Sequence, residues 1–168
     1  NIFVGRSAGL NSTGTGQIII GGYAAASAIN VDNEATIGNT NITASRCQVT
    51  SLTALCDRRD KTDIVDSPYG LNFINSIRPV QFKWQRRKLG NSVALEEDTY
   101  NGKTRIGFIA QELQEAMDEN DNDVLDLIYE SNPERLEARQ GHLLPIAIKA
   151  IQELSAKVAE LEKNNGSN

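Results

Sequence analysis

The chain has 168 residues, of which 39% are hydrophobic and only 5% aromatic, and it carries a net charge of −5 at pH 7. This length suffices for one medium domain or two small ones, while the acidic balance argues against nucleic acid as a main partner. No segment resembles a signal peptide or is apolar for long enough to span a bilayer, so a membrane partner is not expected either. The first residue is Asn1 rather than Met, which suggests a fragment or a processed product.

The first 55 residues are short β-type runs separated by Gly, Asn, Ser and Thr. A single hairpin of such short strands is marginal in water, and the later runs recur at intervals of about six to twelve residues. These features favour a trimeric fibrous β segment, either a β-roll or a β-prism. An ordinary small antiparallel sheet is the alternative. The predicted strands are residues 2–4, 17–20, 28–31, 35–37 and 41–43.

The character of the chain changes at Cys56. Four charged residues precede it, and the rest of the 17 Lys and Arg and 22 Asp and Glu residues follow it. We therefore divide the chain into residues 1–55 and residues 56–168, which makes the protein α+β overall because the second part mixes helices and strands.

The spacing of apolar residues in the second part predicts two helices and two strands before the acidic turn. Leu71, Ile74 and Ile77 recur at helical spacing, whereas residues 80–84 alternate apolar and polar side chains as a half-buried strand does. We expect the strands to pair because they follow one another in the chain. The predicted elements are a helix at 71–77, a strand at 80–84, a loop at 85–102, a strand at 104–109, a helix at 110–117 and a solvated acidic turn at 118–123.

The acidic turn superficially resembles a calcium-binding loop. Asp118, Asn120 and Asn122 stand at alternating positions, but the glycine at the sixth position and the terminal glutamate of such a loop are missing. We therefore predict no metal site.

The C-terminal segment predicts a long helix at about residues 144–163, with Pro145 in its first turn. Its apolar residues recur at alternating spacings of three and four, as in a coiled coil. The pattern indicates an oligomer or a docking surface, and a helix packed on the core of its own domain is the alternative. The seam consists of Leu144, Ala147, Ile151, Leu154, Val158 and Leu161.

Cys56 is a potential nucleophile that precedes Lys61 by five residues. A lysine can act as general base for such a group, but in an extended chain the two side chains point to opposite faces. They can meet only if residues 57–60 form a turn. A disulfide with Cys47 is not predicted, because two thiols are too few for a disulfide framework, and the spacing alone makes Cys56 a bystander.

Several separated motifs, in the same order, resemble the C-terminal intramolecular chaperone domain of phage tailspikes, tail fibres and endosialidases. The resemblance covers about residues 54–163 and rests on residues 56–61 (CDRRDK), 73–80 (FINSIRPV), 82–84 (FKW), 107–112 (GFIAQE) and 148–161.

The resemblance implies a homotrimer whose chaperone domain templates the folding of the preceding fibre strands into a triple-stranded β-structure, such as a triple β-helix. The partners are then further copies of the chain and the upstream part of the same polypeptide, and no cofactor is implied. The chaperone is made in the bacterial cytoplasm and released by self-cleavage, which leaves the fibre kinetically trapped in the virion.

The resemblance also assigns the site. The cut falls between Cys56 and Asp57, the first at the position of the family's serine nucleophile, and Lys61 is its catalytic partner. The supporting motif residues are Arg58, Arg59, Gly107, Gln111 and Glu112.

The thiol of Cys56 is a departure from the family, which has a hydroxyl there. A thiol is larger and differently placed, and its activation by Lys61 leaves an ion pair, so we expect a slowed or inactive cleavage. The alternative is a structural or receptor-binding fibre tip that never cuts. Attack by Cys56 on its own carbonyl would close a strained four-membered ring, which a nucleophile or activated water acting across the trimer avoids.

Overall fold

The computed structural model describes most of the chain, namely residues 1–42, 44–48, 52–84, 103–117 and 119–165. The chain forms two compact units. The N-terminal unit comprises Asn1–Asp66 and Glu130–Arg135, and the C-terminal unit comprises Ser67–Tyr129 and Leu136–Asn168. The fold is mixed α/β with a long C-terminal helix, as expected.

The N-terminal unit contains a three-stranded parallel sheet with strands in the order β1, β2, β3. Ile2 pairs with Ile18, and Ile18 with Ala35, so that successive strands are 16 and 17 positions apart. The alternative of an antiparallel sheet is therefore wrong, and the true repeat is longer than the predicted one. The strands are β1 (Ile2–Val4), β2 (Ile18–Ile20) and β3 (Ala35–Ile37).

The strand predicted at 28–31 and the described part of the strand predicted at 41–43 are turns, so these two predictions are wrong. The backbone N–H of Val31 donates to the carbonyl of Ala28 at 3.4 Å, and that of Ile42 donates to Asn39 at 3.1 Å. These local bonds replace the ladder bonds of a strand. Thr43 lies outside the described residues.

A column of glycines stacks beside the sheet. Gly5, Gly21 and Gly38 each follow a strand and have φ angles of 125°, 133° and 88°, which favour glycine. A Cβ on Gly5 would lie 2.7 Å from the carbonyl carbon of Gly21, and one on Gly21 would lie 3.1 Å from the Cα of Gly38. Glycine is thus required here for both the turn and the close approach of successive coils, by which we mean the segments that each begin with one of β1, β2 and β3.

The C-terminal unit surrounds one apolar core formed by Phe73, Leu113, Met117, Leu125, Leu127, Ile128, Leu143 and Ile146. The antiparallel pairing of β4 with β5 confirms the pairing expected from their order, and β6 pairs antiparallel with β7. The elements are α1 (Leu71–Ser76), β4 (Val80–Phe82), β5 (Arg105–Gly107), α2 (Ala110–Glu115), α3 (Glu119–Leu125), β6 (Ile128–Tyr129), β7 (Glu137–Ala138) and α4 (Leu143–Asn165).

The predicted acidic turn at 118–123 is wrong, since α3 covers Glu119–Leu125. Leu125, at the end of this helix, is only 6% exposed and belongs to the core. Burial of this side chain favours the helix although Asn and Asp have low helix propensity. Asp118 lies outside the described residues, and so does the whole of the predicted loop at 85–102.

Helix α4 has two apolar faces. Leu143, Ile146 and Ala150 are at most 7% exposed, and α4 packs against α1. The predicted alternative of a helix on its own core is therefore correct for this face. The predicted seam lies elsewhere on the helix, and we call its six residues the outer seam. Exposed fractions in the outer seam are 65% for Leu144, 67% for Ile151, 50% for Leu154, 46% for Val158 and 61% for Leu161.

Candidate self-cleavage site

A tight turn brings Lys61 back to Cys56. A 3₁₀ turn at Arg58–Asp60 follows Asp57, whose side chain caps it by accepting from the Arg59 backbone N–H at 2.9 Å. The backbone N–H of Lys61 donates to the carbonyl of Arg58 at 3.2 Å. Lys61 Nζ thereby lies 2.9 Å from Cys56 Sγ. The turn that the sequence requires for this contact is present.

The contact favours the ionised thiol. The hydrogen bond from Lys61, and then its positive charge, hold the pKa of Cys56 below its ordinary value. Both residues are exposed, so solvent and other chains have access to the sulfur. Cys56 is not part of a disulfide. Because the thiolate is the nucleophilic form of cysteine, the arrangement suits nucleophilic attack by Cys56.

Asp57, on the other side of the predicted cut, is held by Arg59. The guanidinium donates from Nε to Oδ1 at 3.0 Å and from Nη2 to Oδ2 at 2.7 Å. These bonds, and the one from the backbone of Arg59, lower the pKa of Asp57. The carboxylate is thus engaged by Arg59 within the turn, and Arg58 lies exposed beside it.

The remaining predicted site residues belong to the C-terminal unit, whereas residues 56–61 belong to the N-terminal unit. Gly107 is buried in β5, and a Cβ there would lie 3.1 Å from Phe82 Cε1. Glu112 in α2 accepts from Arg78, whose Nε lies 3.0 Å from Oε2. Two of the separated motifs are therefore joined by an ion pair, and its hydrogen bond raises the pKa of Arg78.

Residues 56–122 match the model of a protein family described as chaperone of endosialidase. This part of the chain is similar to that family. No curated protein and no solved structure is significantly similar to the chain. The match confirms the resemblance drawn from the separated motifs and supports a role as a phage fibre chaperone.

The match to the chaperone family begins at Cys56, the residue that contacts Lys61, and includes the motif in α2. Within it, Gln111 lines a cavity of about 340 Å³ together with Phe82, Trp84 and Phe108. The rings of Phe82 and Trp84 meet edge to face with centroids 5.1 Å apart. Gly107 lies against Phe82 in the wall of this cavity, and Glu112 is engaged by Arg78.

No group of three or more His, Cys, Asp or Glu side chains in the part of the chain that the structure describes is placed to hold a metal ion. Among the same residues, no helix is both long and apolar enough to cross a membrane.

Sequence reasoning missed the ion pair partner of Glu112, although Arg78 stands in a quoted motif. It also missed the contacts of Ser27 with Ser131 and Asn132, which join residues more than 100 positions apart. A single sequence holds no local signal for contacts of this range, because neither periodicity nor turn chemistry depends on them.

Proposed function

We propose that this chain is a homotrimeric assembly module of a phage tail fibre or tailspike, in which an intramolecular chaperone at about residues 56–168 templates the folding of the fibre strands before it. The chaperone is then released by self-cleavage between Cys56 and Asp57. The contact of 2.9 Å between Lys61 Nζ and Cys56 Sγ, at the first residue of the family match, carries this proposal.

Two exposed apolar surfaces support association with further copies. The first is the outer seam of α4. The second is one face of the parallel sheet, where side chains from all three strands line up because the strands are in register. Large exposed apolar surfaces mark interaction sites in soluble proteins. The sheet face comprises Ile2, Val4, Ile18, Ile20 and Ile37, which are 56%, 54%, 40%, 39% and 80% exposed.

The cut proceeds between copies in this proposal, since attack by Cys56 on its own carbonyl would close a four-membered ring. The thiolate of one copy attacks the carbonyl carbon of Cys56 in another copy. The C–N bond to Asp57 breaks, and the Lys61 ammonium gives a proton to the departing amine. Water then hydrolyses the thioester, which leaves a carboxyl group on Cys56 and restores the thiol.

We propose that cysteine slows this reaction. With serine in its place, a neutral lysine removes the proton of the hydroxyl during attack. With Cys56, the thiolate is already paired with Lys61, so the ion pair must loosen before the sulfur can approach a carbonyl. Once the chaperone has left, the fibre would lack the template for refolding and persist through a high unfolding barrier.

Intact mass and oligomeric mass of the purified chain test the proposal. We expect a trimer that cleaves slowly into residues 1–56 and 57–168, and faster cleavage after Cys56→Ser. Lys61→Met is the matched control, because it removes the amine in either background and should abolish cleavage. A trimer that stays whole after Cys56→Ser would instead establish the non-cleaving fibre tip, and a monomer would refute the assembly module.

A further inference from the structure

One loop of the second half of the chain belongs to the N-terminal unit. Residues Glu130–Arg135 lie between β6 and β7, yet they cluster with Asn1–Asp66 and not with the strands that flank them. The loop follows the proposed cut, so it would be part of the released piece. Its contacts with the coils therefore join the two products of cleavage.

Two hydrogen bonds fix the loop to Ser27. The hydroxyl oxygens of Ser131 and Ser27 lie 2.5 Å apart, and Asn132 Nδ2 donates to the carbonyl oxygen of Ser27 at 3.0 Å. Both bonds are partly buried. The loop thus contacts Ser27 through both its side chain and its main chain.

The carboxylate of Glu34 holds Ser27 in the position where the loop contacts it. The backbone N–H of Ser27 donates to Glu34 Oε1 at 2.9 Å, and its hydroxyl donates to Glu34 Oε2. Thr36 in β3 donates to the same carboxylate at 2.8 Å. Glu34 immediately precedes β3, so the position of Ser27 is tied through Glu34 to the start of β3. The loop therefore contacts a surface that folded coils present.

The loop itself is ordered by local bonds. Asn132 Oδ1 accepts from the backbone N–H of Glu134 at 3.0 Å, and the carbonyl of Asn132 accepts from the N–H of Arg135 at 2.9 Å. An ordered loop loses less conformational entropy on contact than a flexible one. It is thus suited to bind the coils without the covalent bond between Cys56 and Asp57.

We propose that the loop Glu130–Arg135 is a clamp that keeps the released chaperone bound to folded coils through Ser27, so that dissociation is a separate step after the cut. This inference rests on the proposed function, and it deepens it by naming the surface through which the chaperone holds its substrate. Self-cleavage makes release possible, and breaking the contacts of Ser131 and Asn132 completes it.

A cut by an added protease tests the clamp without self-cleavage. A recognition sequence for a specific protease is inserted between Cys56 and Asp57 of the full chain, where residues 52–61 are exposed. After digestion, the dissociation rate of the two pieces is followed by size-exclusion chromatography under native conditions. We expect the pieces to remain together. Ser131→Ala should speed dissociation roughly fivefold, the value of one neutral hydrogen bond, and Asn132→Asp should speed it by more because it also adds a repulsive charge.

Asn132→Asp is the stronger variant, because it keeps an oxygen that accepts from Glu134 but replaces the donor to Ser27 with a charged oxygen that repels the Ser27 carbonyl. Arg135→Ala is the matched control in the same loop and should leave the rate unchanged. Urea unfolding of the uncut variants verifies that each still folds. Immediate separation of the unmodified pieces, or equal rates for all variants, would overturn the clamp. A failure of self-cleavage would appear without added protease, as an intact chain, and would leave this result unaffected.

Discussion

The two faces of α4 predict that folding and trimer formation can be perturbed separately. Full burial of an isoleucine side chain is worth about 1.5–3 kcal/mol. Ile151 is 67% exposed in a single chain, so roughly two thirds of this, about 1–2 kcal/mol, is available only when another copy covers it. Summed over a trimer, Ile151→Ala should cost about 3–6 kcal/mol of association, which raises the dissociation constant by roughly two to four powers of ten.

Ile146 provides the comparison, because it is only 5% exposed and packs into the core of its own unit. Ile146→Ala should lower the free energy of unfolding by about 2–5 kcal/mol, whereas Ile151→Ala should change it by less than about 0.5 kcal/mol. Sedimentation equilibrium measures the dissociation constant. Urea unfolding, at concentrations where the chain is monomeric, measures the stability of the fold apart from assembly.

The reasoning fails if Ile151→Ala leaves the dissociation constant unchanged, since the outer seam would then contribute nothing to association. It also fails if Ile151→Ala destabilises the monomer as much as Ile146→Ala, since the two faces would not be distinct. If only Ile146→Ala weakens the trimer, assembly depends on the fold of the unit and not on the outer seam.

Two further predictions concern the supporting motif and the thiol. Gly107→Ala places a Cβ 3.1 Å from Phe82 and should lower the free energy of unfolding by about 1–3 kcal/mol, measured by urea unfolding. Gly141→Ala, with nothing within 4 Å of its Cβ, is the control and should be neutral or stabilising; equal losses at both positions would contradict the prediction. Lys61→Met should raise the pKa of Cys56, because the hydrogen bond and charge that favour the thiolate are removed. The alkylation rate of this thiol should then rise only at higher pH than in the unmodified chain, and an unshifted profile would exclude Lys61 as the cause.

The elements that the sequence predicts correctly are those set by local spacing. Leu71 and Ile74 indicate α1, and the alternating spacings of three and four residues indicate α4. A core-packed helix was one of the two alternatives, but the residues of the core face, Leu143, Ile146 and Ala150, were not identified, because they recur at helical spacing just as the outer seam does. Spacing shows that a face is apolar, but it does not show whether the chain or another copy covers it.

The parallel register of β1, β2 and β3 could not be derived from the spacing of apolar residues. Strands of three residues give little alternation, and β-type composition is equally high at residues 28–31, which form a turn. What distinguishes the true strands is a repeat of glycines at positions 5, 21 and 38 that follows them. This repeat of 16 and 17 positions would have given the register, whereas hydrophobicity alone suggested shorter intervals.

The turn at Cys56 is held by contacts among neighbouring residues, and this bears on when the proposed cut can occur. Asp57 caps the turn and binds Arg59, and Lys61 contacts Cys56 within the same six residues. The nucleophile and its partner can therefore meet without any contact from the rest of the chain. Since the proposed attack needs a carbonyl from another copy, formation of the pair does not start the reaction. On the proposed mechanism, assembly starts it, because a second cleavage site can come only from another copy.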